Sequence, residues 1–88
     1  MNKEHGQKIL DIVSEMNPEA LFPTGMEECL VGYVERIGLE IQVLLDRNRC
    51  IDFLIGQGMT EEEAIEYFEY NVLGACVGEH TPFFATII

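Results

Sequence analysis

Thr60-Glu61-Glu62-Glu63 constrains this chain more than any other short segment. It is a capping box. The Thr60 hydroxyl can accept the Glu63 backbone N–H, and the Glu63 carboxylate can reach back to the Thr60 N–H. Three carboxylates in the first turn also complement the helix dipole. Ala64, Phe68, Val72 and Ala75 then recur on one face. The pattern predicts a helix from Thr60 to about Leu73 with an apolar stripe. Such a stripe is stable only against a core, which the rest of the chain must supply.

The upstream segments can supply it. Ile9, Val13 and Met16 share one face of a predicted helix over 3–16, with Leu10 and Ile12 beside it. Asn17-Pro18 ends that helix, because a residue before Pro is pushed out of the α region. A loop follows to Gly25, pinned to the core by Leu21-Phe22. Cys29 to Arg36 permits a helix or a strand; the alternation around Val31, Tyr33 and Val34 favours a strand. Ile41, Val43 and Leu45 alternate as a second strand, giving a hairpin with Gly38-Leu39-Glu40 at its tip. Asp46 is positioned to cap a helix through Phe53 and Ile55. Gly56-Gln57-Gly58 closes it, with Gly58 in a left-handed conformation. Pro82 opens a last apolar strand, Phe83 to Ile88, where a missing N–H does least harm.

The expected fold is a single α+β domain over residues 1–88. A small antiparallel sheet, the hairpin plus the C-terminal strand, packs against helices in the order α-β-β-α-α-β. No repeat, linker or low-complexity tract is visible.

Charge narrows the function. Sixteen acidic residues against five Lys and Arg leave a net charge of −11. Phosphate contacts need basic side chains, so general nucleic-acid binding is disfavoured, and so is attachment to anionic membranes. An acidic surface suits solubility or a basic partner. No apolar run approaches the roughly 20 residues that cross a bilayer. The first residues lack the apolar stretch of a signal peptide. Three widely spaced cysteines, Cys29, Cys50 and Cys76, argue against a disulfide framework and fit a reducing cytoplasm.

The segment from Tyr70 to Pro82 is where a site is expected. Asn71 lies at the margin of the last helix's inward stripe, where an unpaired amide would cost roughly 1–3 kcal/mol. It either ties down the following turn or meets a ligand. Gly74 and Gly78 permit positive φ or close backbone approach. Their spacing is neither a dinucleotide fingerprint nor a phosphate-binding loop. Glu79, His80 and Thr81 complete a polar turn suited to recognition. Arg36, one of only three arginines, either pairs with a surface carboxylate or meets an anionic ligand through its planar fork. These seven residues, Asn71, Gly74, Gly78, Glu79, His80, Thr81 and Arg36, are the expected ligand site. No catalytic set stands out. Cys76 and His80 lack a third group, and Cys76, Glu79 and His80 are too few to predict a metal site. No cofactor is implied.

Four segments carry a resemblance: Glu28 to Arg36, Asp46 with Cys50-Ile51, Gly58 to Ala64, and Phe68 to Pro82. Together they resemble a widespread family of small hypothetical proteins of bacteria and their phages. The similarity spans roughly residues 20–86. Its most specific part is Asn-Val-x-Gly-Ala-x-Val-Gly-x-x-Thr-Pro, from Asn71 to Pro82. Cys76 departs from it, standing where the family carries an aromatic residue. The resemblance implies a phage-associated protein in the host cytoplasm, and no reaction.

The function expected is therefore binding without catalysis. A homo-oligomer capturing a small polar, nucleotide-like ligand near the 71–81 turn, in host counter-defence, ranks first. An acidic inhibitor or adaptor binding a host protein is the alternative. Self-association is expected because the apolar 83–88 strand carries no charged guard.

Overall fold

A computed structural model describes residues 3–74, 78 and 80–88. It is a small α+β fold in the predicted order. Helix α1 spans Lys3–Met16, and a single 3₁₀ turn, Glu27–Cys29, leads into strand β1, Leu30–Arg36. Strand β2 is Leu39–Asp46 and helix α2 is Arg47–Gly56. Helix α3, Glu61–Tyr67, continues as a π-helical segment, Phe68–Leu73, and β3 is Phe83–Ala85. No helix among the described residues is long and apolar enough to cross a membrane.

Local chemistry explains most boundaries. The Thr60 capping box forms in both directions, with Glu63 N donating to Thr60 Oγ1 at 3.2 Å and Thr60 N donating to Glu63 Oε1 at 2.9 Å. The Thr60 backbone N–H, and secondly the Thr60 hydroxyl, hold the Glu63 carboxyl below its usual pKa. Asp46 caps α2 by accepting from Asn48 N at 2.9 Å. Gly58 takes φ +106°, the left-handed value that a helix end followed by a turn requires.

The hairpin forms as a strand pair, but its tip is tighter than expected. Arg36 pairs with Leu39, so Ile37-Gly38 alone make the loop, with Gly38 at φ +85°. Leu39 and Glu40 belong to β2. The ladder is irregular twice. β1 carries an extra residue at Val31, and β2 carries one between Leu39 and Gln42. Such bulges twist a strand and re-aim its side chains.

The sheet is mixed, with strand order β1-β2-β3, and not wholly antiparallel as expected. β3 runs parallel to β2, with Leu44, Leu45 and Asp46 beside Phe83, Phe84 and Ala85. Two helices lie between these strands, so no hairpin turn imposes opposite directions. β3 also stops at Ala85, short of the expected Ile88.

The core gathers Ile9 and Val13 of α1, Leu30, Val43 and Leu45 of the sheet, Cys50 and Leu54 of α2, and Ala64, Phe68 and Val72 of the last helix. Phe68 meets Phe84 edge-on, ring centroids 5.3 Å apart, and Arg47 covers the Phe68 ring at 5.0 Å. Ala75, the last predicted stripe residue, lies outside the described residues. Met16 is exposed, contrary to expectation. The inward face of α1 is Gly6, Ile9 and Val13, continued by Asn17 just past its end. Gly6 is required there because a Cβ would fall on the Glu27 carbonyl.

Candidate functional site

The chain leaving α1 builds one corner of the molecule around Asn17. This amide is 1% exposed. Its Nδ2 donates to the Ile41 carbonyl of β2 at 2.9 Å, and its Oδ1 accepts the Glu19 N–H at 3.2 Å. The same Nδ2 lies 3.5 Å from His80 Nδ1. The Leu21 N–H donates to the His80 carbonyl at 2.9 Å. The 17–22 loop is thus tied to β2 and to the turn before β3. Leu21 is held by its backbone while its side chain is exposed; Phe22 is the side chain that packs on the core.

His80 is the centre of this corner. Its Nε2 is 3.0 Å from Glu19 Oε2 and its Nδ1 is 3.8 Å from Glu40 Oε2. The two ring nitrogens face carboxylates from separate elements, and one ligand atom from each of the three residues lies within 4.8 Å of the other two. Thr81 follows, half-buried. Its Oγ1 is enclosed and has no hydrogen-bond partner among the described residues.

A cleft of about 770 Å³ opens beside His80. The end of the hairpin forms one wall, with Arg36, Leu39 and Glu40, and the His80 turn and Glu19 form the other. Gln42 and Phe83 also line it. Two other depressions are more open. One, of about 490 Å³, is bounded by Met59, Tyr67, Tyr70 and Asn71; the other, of about 400 Å³, by Glu28, Arg49 and Phe53.

The predicted residues therefore divide. Arg36 and His80 share the cleft; Thr81, next to His80 in the chain, does not line it. Asn71 does not join them. It is exposed on the π-helical segment and borders the separate depression on the last helix. Gly74 is a close-approach glycine and not a left-handed one. Its φ is −70°, and a Cβ would come within 2.9 Å of the Glu69 carbonyl. Gly78 is left-handed at φ +96°. Glu79 and Cys76 lie outside the described residues.

Glu19, Glu40, Gln42 and Asn17 were not singled out by sequence. Among sixteen acids, two that converge on a histidine carry no mark of their own. Asn17 had one signal, its place before Pro18. That placement was read as a helix stop, and the side chain's inward turn adds the second role.

Cys29 and Cys50 are both fully buried and free. Their thiols hydrogen-bond to each other, which lowers the Cys29 pKa. The same bond and burial raise that of Cys50. Neither lines the cleft, and a buried, mutually bonded pair in an apolar core is inert packing. In chemical terms the cleft offers one guanidinium, one imidazole, several carboxylates, an amide and an aromatic edge. Comparison with protein-family models, with curated proteins and with solved structures finds no match to this chain.

Proposed function

We propose that this chain is a non-enzymatic binding protein that holds a small polar ligand in the cleft between the hairpin end and the His80 turn. The observation that carries this reading is the meeting of Arg36 and His80 in one cleft with the apolar walls Leu39 and Phe83. Small-molecule sites combine apolar walls with a few polar groups that fix orientation. A planar, nucleotide-like ligand suits that mixture. Its ring would lie against Phe83, and an anionic group would meet the Arg36 fork. The net charge of −11 limits how much negative charge such a ligand can carry. The family resemblance supports a phage-associated role in the bacterial cytoplasm, with sequestration of a host metabolite as counter-defence.

Native mass spectrometry of protein purified from phage-infected cells tests the reading. A retained small molecule, lost in Arg36→Ala, is the expected result. A ligand-free wild-type protein, or equal retention in the variant, would sink it. The same spectrum reports self-association. Phe83, Ile87 and Leu39 are exposed, and β3 is an edge strand, so a homo-oligomer is expected.

One observation favours a second reading, an acidic adaptor for a basic host protein. Glu61, Glu62, Glu66 and Glu69 stand exposed along the last helix. Salt-sensitive capture of a basic protein that survives Arg36→Ala but not replacement of these four glutamates would favour it.

A further inference from the structure

We infer that His80, Glu19 and Glu40 form a binding site for a single divalent cation of the zinc type at the wall of the cleft. The inference takes its location from the cleft reading above and adds a second kind of ligand to it. Three elements far apart in sequence converge here: the loop after α1, the start of β2 and the turn before β3. Their ligand atoms already lie within 4.8 Å of one another. Ligands around a tetrahedral zinc, bound at about 2.0–2.2 Å, stand about 3.3–3.6 Å apart, so the carboxylates must close in by up to about 1.5 Å.

The site is more than surface acids. The imidazole is half-buried and its backbone is tied down by Leu21 N–H. Asn17, a buried amide, sits against the ring on the Nδ1 side and fixes its orientation. A buried neighbour of this kind limits ring rotation and keeps Nε2 turned toward Glu19. Glu19 and Glu40 are exposed, so their carboxylates can swing the remaining distance without moving the backbone. The irregular stretch of β2 around Glu40 aims that side chain toward the turn.

The donor set decides the cation. One imidazole nitrogen with two carboxylate oxygens suits zinc and its first-row neighbours, whereas calcium and magnesium prefer oxygen alone. On binding, the cation takes the Nε2 lone pair and the neutral ring carries its proton on Nδ1, so Asn17 Nδ2 keeps its bond to the Ile41 carbonyl alone. Three protein ligands leave a coordination position open, as sites that also bind a small ligand do.

Zinc titration of chelator-treated protein by calorimetry tests this, with imidazole NMR in parallel. The chain has only two histidines, His5 and His80, so the spectrum is simple. One zinc per chain is expected, shifting the His80 signals and leaving those of His5 in place. His80→Ala and Glu40→Gln should each weaken binding at least about tenfold, while Glu35→Gln, which removes a cleft carboxylate outside the trio, should not. Undiminished binding in His80→Ala, or no saturable zinc binding, would overturn the inference. If zinc binds through His80 and no small molecule is ever retained, the cation site stands and the polar-ligand reading falls. If the chelator-treated protein keeps a small molecule yet ignores zinc, the reverse holds.

Discussion

Asn17 and Asn71 both lie near the C-terminal end of a helix, yet they have opposite fates. Asn17 is buried and bonds to β2 and to its own loop, beside the His80 ring. Asn71 is exposed. The difference comes from how each helix ends. Pro18 stops α1 abruptly, and the chain turns with the amide still on the inward face below Val13. The last helix does not stop; it widens into a π-helical segment, with Gly74 N–H reaching back to the Glu69 carbonyl. A wider turn needs more residues to come round. Phe68 and Val72, four apart, then stay on one face, and Asn71 swings off it. An amide becomes structural when the backbone stops beneath it, not because it lies near a stripe.

The sharpest way to break this contrast is to lift α1 away from the body. Gly6→Ala places a methyl on the Glu27 carbonyl, and backbone cannot yield as a side chain can. Overpacking of this kind costs roughly 1–3 kcal/mol, against a gain of about 1 kcal/mol for Ala over Gly in a helix. Backbone contact puts the cost at the upper end, so a net loss of about 2 kcal/mol is expected in urea denaturation. A stabilised variant would mean that α1 slides freely and that the Asn17 corner is not anchored through it.

Asn17→Ala attacks the corner directly. It strands the Ile41 carbonyl and the Glu19 N–H, and a loss of about 2 kcal/mol is expected. Backbone hydrogen exchange at Leu21 should also accelerate, because its bond to the His80 carbonyl depends on the same loop. Unchanged exchange at Leu21 would separate the loop from the amide and weaken the claim that Asn17 organises the cleft.

The start of the last helix is the control for its far end. Thr60→Ala removes half of the capping box and should cost about 1 kcal/mol. pH provides an independent check. The folded state holds the Glu63 carboxyl below its ordinary pKa, so the unfolded chain binds its proton first as pH falls. The contribution is therefore present at neutral pH and lost as pH drops through the folded-state value. In Thr60→Ala that acid-side loss should shrink. Identical acid profiles for the two proteins would mean that the residue-60 backbone N–H alone sets the Glu63 carboxyl and the hydroxyl adds nothing.

How much of this was legible in the sequence follows the range of each signal. The capping box, the Asp46 cap and the Asn-Pro stop are local, and each element appears where its residues ask. Gly38 fixed the hairpin, though the pairing of Arg36 with Leu39 tightened its tip. The direction of β3 was not legible, because two helices separate it from β2 and three residues do not encode polarity. Arg36 stood out by scarcity and His80 by its place in a polar turn. Glu19 and Glu40 did not, since convergence of residues twenty and more apart depends on how α1 docks. The π-helical widening left no mark in the stripe that ran through it.

Asn71→Leu is the smallest expected effect and the most pointed test of the contrast. An exposed position away from a cap or a buried network tolerates substitution to within about 0.5 kcal/mol. Leu also has the higher helix propensity, by a few tenths of a kcal/mol at most. The variant should therefore melt with the parent and bind any cleft ligand or zinc as tightly, since Asn71 borders a different depression from Arg36 and His80. Asn71→Leu should also leave Leu21 exchange untouched, where Asn17→Ala speeds it. A loss of 1 kcal/mol or more on chemical denaturation would mean that the amide has a buried partner beyond Gly74. The two helix ends would then be alike, and the Asn71 turn would return as a part of the site.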